Sequence, residues 1–138
     1  MTLQYRCHQC GRQWPVNSNI RYQCDHDQSN LEIVYDYERV QSQWSRDELR
    51  HNPDPSLWRY SPLLPVNAGV HESPIGGTPC FLSRNLASRT GLGEVWVKND
   101  SLLPSSSFKD RASVVALQWA RENDYPVVAA ASTGNAGA

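Results

Sequence analysis

The chain has 138 residues, 39% of them hydrophobic and 20% charged, with a formal net charge of -1. No apolar run approaches the roughly 18 to 20 residues needed to span a bilayer, and the near-neutral balance leaves no electrostatic footprint for nucleic acid. Met1-Thr2-Leu3-Gln4-Tyr5 lacks the basic start and apolar stretch of a secretory signal. A cytoplasmic, reducing setting is therefore expected, in which Cys7, Cys10, Cys24 and Cys80 read as metal ligands or core thiols rather than as disulfides.

Residues 1–36 hold three cysteines and two histidines in a polar stretch that ends on an expected strand, Leu31 to Asp36. So small a module needs a staple, since chains below about 40 residues seldom bury enough surface to fold alone. Cys7-x-x-Cys10 is a knuckle whose turn brings two thiolates to one ion, and Cys24-Asp25-His26 supplies a third and fourth ligand for a tetrahedral zinc through Cys24 and His26. A ribbon that has lost its metal, or a redox Cys-x-x-Cys, are the competing readings, the latter without the β-α-β surroundings it needs. Residues 37–75 carry Trp44, Trp58 and five prolines, which reads as a short helix near Arg46 to Arg50 followed by an extended connector.

From Gly76 the pattern becomes regular. A strand is expected at Thr78 to Leu82, a helix from Ser83 to Thr90 closed by Gly91, and a strand at Glu94 to Lys98. Ser107 and Asp110 stand three apart as a capping box, and Ala112, Val115, Ala116, Trp119 and Ala120 recur at helical spacing as one buried face. Asn123 and Pro126 end that helix, and Val127 to Ala131 reads as a strand covered on both faces. Strand, helix, strand in that order predicts an α/β fold with a parallel sheet.

Lys109 falls in the first helical turn, where the macrodipole and unpaired N–H groups disfavour a positive charge, the condition under which an amine attacks a carbonyl as its free base. The glycine-containing turn at Ser132-Thr133-Gly134-Asn135 offers outward backbone N–H groups and neutral hydrogen-bonding side chains, suited to a carboxylate or a phenolic oxygen. Read alone, Lys109 is a solvated surface lysine and the loop a polar turn; together they make a site. Ser106-x-x-Lys109 also matches a serine acyl-transfer motif, but its partner motifs Ser-Asp-Asn and Lys-Thr-Gly do not occur in the chain.

Gly77-Thr78-Pro79, Trp96-Val97-Lys98-Asn99-Asp100, Pro104 to Arg111, and Ala131-Ser132-Thr133-Gly134-Asn135 resemble, in order and spacing, the threonine synthase group of fold-type II pyridoxal-phosphate enzymes. The resemblance covers residues 76–138 and implies part of a three-layer αβα domain with a parallel sheet. It implies Lys109 as the residue that forms the Schiff base, Phe108 and Asn135 as further cofactor contacts, and Ser132 and Thr133 as holders of the substrate carboxylate. The chain departs from the group's usual pattern at Ser105 and Ser106, where Pro-Thr-Gly-Ser becomes Pro104-Ser105-Ser106-Ser107, and at Ala136.

The N-terminal module is similar to the zinc-ribbon-like segment of one class of that group, with His26 where the class has a last cysteine. The activity implied is conversion of O-phosphohomoserine and water to threonine and phosphate, with pyridoxal 5'-phosphate as cofactor, zinc as a further metal, and a homodimer at full length. Serine or threonine dehydratase and cysteate synthase are the alternatives within the fold type, and a zinc-ribbon interaction module on a non-catalytic remnant lies outside it. Because the group's phosphate cradle and the hydroxyl facing the pyridine nitrogen come later in its sequences, the 138 residues alone are expected to lack turnover and to bind cofactor weakly.

Overall fold

The structure is a computed structural model that describes residues 3–16, 21–67 and 75–137. The chain divides into two compact units, one of Met1–Asn52 with Tyr60–Asn67 and one of Pro53–Arg59 with Ala68–Ala138.

In the first unit, β1 (Gln4–Cys7) lies between β2 (Gln13–Pro15) and β3 (Leu31–Val34), antiparallel to both, with Tyr5 opposite Trp14 on one side and Ile33 on the other. Aromatic and β-branched cross-strand neighbours of this kind suit a half-buried pleated surface. The side chains sealed most completely from water are Cys7 and Cys24, at 1% and 0% exposure, and Leu3, Val40 and Val66 are the further buried apolar residues of this unit. Asp36 accepts from the Arg39 N–H at 3.0 Å and starts α1 (Tyr37–Gln43), a helix that the proline-rich composition of the connector concealed. The expected helix near Arg46 is α2 (Arg46–His51), opened by a complete capping box between Ser45 and Glu48.

The second unit begins with 3-10 turns over Leu57–Leu63, kinked at Tyr60, whose later residues belong to the first unit. β4 (Cys80–Leu82) pairs antiparallel with β5 (Trp96–Lys98), and between them α3 (Arg84–Thr90) ends on Gly91 in the left-handed conformation. The long helix α4 (Lys109–Glu122) ends at Asn123, whose N–H bonds back to the last turn. No helix among the described residues is long and apolar enough to cross a membrane.

Five expectations are corrected here. Both sheets among the described residues are antiparallel, and Val127 to Ala131 forms no strand: Val127 is 76% exposed and the segment pairs with no sheet edge. An extended apolar segment gains little without a neighbouring edge to satisfy its N–H and C=O groups. The buried residues of α4 are Val114, Gln118 and Ala120, whereas Ala112 and Ala116 are exposed, because the apolar face read from the periodicity meets no sheet among the described residues. Cys80, expected in a core, is exposed on the two-stranded ribbon of β4 and β5. Finally, Ser107 and Asp110 form no reciprocal box. The Ser107 hydroxyl accepts from the Lys109 N–H at 3.2 Å, and the Asp110 carboxylate turns back to the N–H of Ser105 at 2.9 Å and to its hydroxyl.

Candidate functional site

Three stretches far apart in sequence meet at the start of α4. Arg111 donates through Nε to Asp100 Oδ2 at 3.0 Å and through Nη2 to Asp100 Oδ1 at 2.8 Å, a bidentate pair. Thr78 donates its hydroxyl to Asp100 Oδ1 at 2.6 Å and accepts from Arg111 Nη2 at 3.1 Å, while Lys98 donates to the Thr78 carbonyl. The hydrogen bonds from Arg111 first, and from Thr78 next, hold the Asp100 carboxyl well below the usual carboxylate range. Asp110 fixes the loop before the helix through Ser105, so the residues on the C-terminal side of Lys109 anchor its helical turn in two directions.

Lys109 stands exposed between those anchors. Its ammonium lies 4.5 Å from the centre of the Phe108 ring, itself 60% exposed. The chain contains two lysines, and they differ: Lys98 donates to the Thr78 carbonyl, whereas Lys109 has no carboxylate partner among the described residues. A presented primary amine is the group that condenses with an aldehyde.

The loop at the end of the chain is a tight polar turn. The Ser132 hydroxyl accepts from the Gly134 N–H and donates to the Gly134 carbonyl, both at 3.1 Å, and the Gly137 N–H donates to the Gly134 carbonyl at 2.9 Å. A Cβ on Gly137 would stand 3.3 Å from the Ser132 Cβ, so the turn closes tightly around that serine. Thr133 and Asn135 are exposed on it. The amine at Lys109, the amide at Asn135 and the hydroxyls at Ser132 and Thr133 are the donor and acceptor types that an aldehyde cofactor with a phenolic oxygen and a carboxylate take.

The expected zinc ligands Cys7, Cys10 and Cys24 come together, with their ligand atoms and an Asp27 carboxylate oxygen all within 4.8 Å of one another. His26 contributes its backbone N–H to Cys24 Sγ at 3.4 Å, and the group at the fourth position is Asp27. The Ser29 N–H, at 3.0 Å from Asp27 Oδ1, holds the Asp27 carboxyl well below its ordinary range. Asp27 was legible as Cys24-x-x-Asp27, the same spacing as Cys7-x-x-Cys10. Thr78, Asp100 and Arg111 lie within motifs read from the sequence, but their connection exists only in three dimensions.

The pyridoxal-phosphate dependent enzyme family matches over residues 71–138. Threonine synthase of Methanocaldococcus jannaschii is 40% identical over 96% of this chain and 33% of its own length, and that of Methanosarcina acetivorans is 34% identical over 96% and 32%. The 2-amino-4-ketopentanoate thiolase beta subunit of an unknown prokaryotic organism is 39% identical over 49% of this chain and 16% of its own. The chain thus spans about a third of the length of the first two relatives. No solved structure matches. Residues 71–138, which contain the anchored Lys109 turn, match the domain of the pyridoxal-phosphate dependent enzymes.

Proposed function

We propose that the protein acts as a threonine synthase, converting O-phosphohomoserine and water to threonine and phosphate, with Lys109 as the residue that holds the cofactor and then moves protons. The observation that carries this reading is the Thr78, Asp100 and Arg111 network, which fixes the helical turn of an exposed, otherwise unengaged lysine. The relatives that match along nearly the whole chain and carry the name threonine synthase support the choice of substrate. Assignment to the cytoplasm, a carbon-oxygen lyase reaction and a homodimer belong to the same reading; four free cysteines suit a reducing compartment.

Pyridoxal phosphate, when bound, supplies an electron sink for negative charge left at the substrate α-carbon. Lys109 Nζ serves as the base that takes the α-proton and as the donor that returns a proton during the later steps. Loss of phosphate from the γ-carbon and addition of water at the β-carbon require proton movement at both neighbouring carbons, so one mobile amine on a fixed turn is the economical arrangement. Asn135 would hold the cofactor's phenolic oxygen through its amide N–H, and Phe108 lies beside the Lys109 amine. Ser132, Thr133 and the turn's N–H groups hold the substrate carboxylate, for which the Ser132 hydroxyl exchanges its contacts to Gly134.

Treatment with pyridoxal phosphate followed by borohydride reduction and peptide mapping tests the lysine. Of the two lysines, Lys109 takes the label and Lys98 is spared; equal labelling of both overturns the assignment. In the holoenzyme, Lys109→Ala abolishes release of threonine and phosphate from O-phosphohomoserine, and a variant that retains the activity excludes the role. Ammonia release from threonine without any threonine formation from O-phosphohomoserine decides for a dehydratase.

A further inference from the structure

The two turns that carry the thiols are near-copies of one another. In the first, the Cys7 N–H donates to the Arg12 carbonyl at 2.8 Å, the Gly11 N–H donates to the Cys7 carbonyl at 3.1 Å, and Gly11 has φ 73°. In the second, the Cys24 N–H donates to the Ser29 carbonyl at 2.9 Å, the Gln28 N–H donates to the Cys24 carbonyl at 3.0 Å, and Gln28 has φ 59°. Two residues beyond each cysteine a backbone N–H points at its sulfur, from Gln9 to Cys7 and from His26 to Cys24, each at 3.4 Å. Three residues beyond, the first turn presents Cys10 and the second presents Asp27.

We propose that Cys7, Cys10, Cys24 and Asp27 form a tetrahedral zinc site, in which Asp27 and not His26 is the fourth ligand. The position of His26 corresponds to that of Gln9, which serves its turn with a main-chain N–H, while the ligand comes from the following residue in both turns. The separations fit the ion. With Zn–S about 2.3 Å and Zn–O about 2.0 Å, a tetrahedron has sulfur-sulfur edges of about 3.8 Å and sulfur-oxygen edges of about 3.5 Å. Cys10 Sγ lies 3.6 Å from Cys24 Sγ, and Cys7 Sγ lies 3.5 Å and 3.6 Å from the two carboxylate oxygens of Asp27.

The surroundings are those of a closed site. Main-chain N–H groups of Gln9 and Cys10 approach Cys7 Sγ at 3.4 Å and 3.3 Å, favouring a thiolate there. The Ser29 N–H bonds Asp27 Oδ1 at 3.0 Å and orients the carboxylate. The turns are also tied to each other, by the His8 N–H to the Asn30 carbonyl at 3.1 Å and by the Ser29 hydroxyl to Gln9 Oε1 at 2.8 Å. Three thiolates and one carboxylate oxygen suit zinc better than metals that prefer sulfur alone. The ion supplements the small apolar core of Leu3, Val40 and Val66 in a unit whose best-buried side chains are Cys7 and Cys24.

The purified full chain, freed of metal under reducing conditions and titrated with zinc and with cobalt(II), tests this. One ion binds per chain, and the cobalt form shows the visible bands of tetrahedral coordination together with near-ultraviolet charge transfer from three thiolates. Asp27→Ala weakens zinc binding by at least the roughly 10- to 100-fold that loss of even an outer-shell partner causes, while His26→Ala leaves it unchanged. Asp27→Cys retains binding and adds the charge transfer of a fourth thiolate, so a folding defect in the alanine variant cannot mimic the result. Loss of binding in His26→Ala with retention in Asp27→Ala overturns the ligand set. Absence of any zinc uptake, with Cys10 and Cys24 recovered as a disulfide, overturns the metal site itself.

Discussion

Asp100 lies beside two cations, Arg111 and Lys98, and its depressed titration gives the second unit an acid-sensitive joint. Because the folded carboxyl binds its proton less readily than the unfolded one, the joint contributes fully above the ordinary carboxylate value near 3.8 and is lost as pH falls below it. Melting temperature measured from pH 6 down to pH 3 is therefore expected to fall, and Arg111→Ala to flatten that fall. At neutral pH, Arg111→Ala leaves the partly buried carboxylate without its bidentate partner, a change that costs on the order of 1–3 kcal/mol. If the network positions Lys109, Asp100→Asn also lowers borohydride-trapped labelling of Lys109 at neutral pH, and unchanged labelling would separate the network from the amine. Residue types and motif spacing pointed to Lys109 and Asn135 as candidates from the sequence. Asp27 was passed over because histidine is the more familiar metal ligand, although Cys24-x-x-Asp27 repeats the spacing of Cys7-x-x-Cys10; that the two turns also repeat one another's hydrogen bonds shows only in three dimensions.

Among the elements, the legible ones were those that carry their own punctuation. The helix closed by Gly91, the helix opened by Ser45 and Glu48, and the end of α4 at Asn123 each depend on local hydrogen bonds that the sequence spells out. Val127 to Ala131 carries an equally clear apolar signal, but a strand is a property of a pair, and no described strand lies alongside it. The glycines separate local from distant demands in the same way. Gly91 and Gly77 both have positive φ, at 70° and 58°, but a Cβ at Gly91 would meet open space whereas one at Gly77 would stand 2.7 Å from the Pro55 carbonyl oxygen. Gly91→Ala is expected to destabilise by about 1 kcal/mol, the left-handed penalty alone, and Gly77→Ala by more than about 2 kcal/mol because main chain must also move. Denaturant midpoints of the two variants measure the difference, and equal midpoints would mean that the 53–59 segment yields freely.

At the scale of the whole chain, two units rest on different kinds of centre: sealed thiols in one, and in the other the residues Trp58, Leu103 and Val114 beside the buried hydroxyls of Thr78 and Ser107. With zinc bound, a chelator is expected to melt the three-stranded unit while pyridoxal phosphate and borohydride still modify Lys109. Circular dichroism and peptide mapping on the same sample check this, and simultaneous loss of both signals would make the units one cooperative body. An aspartate at the place that mirrors Cys10 also leaves the cluster with an odd number of sulfurs. A four-thiol site can oxidise into two disulfides that keep the metal out. Among three sulfurs one disulfide can form at a time, Cys10 with Cys24 being 3.6 Å apart, and attack by the remaining Cys7 thiolate would exchange that bond for another and release one thiol. Oxidation would thus remove two ligands through a single bond, and one equivalent of an external dithiol would return all three sulfurs to the site.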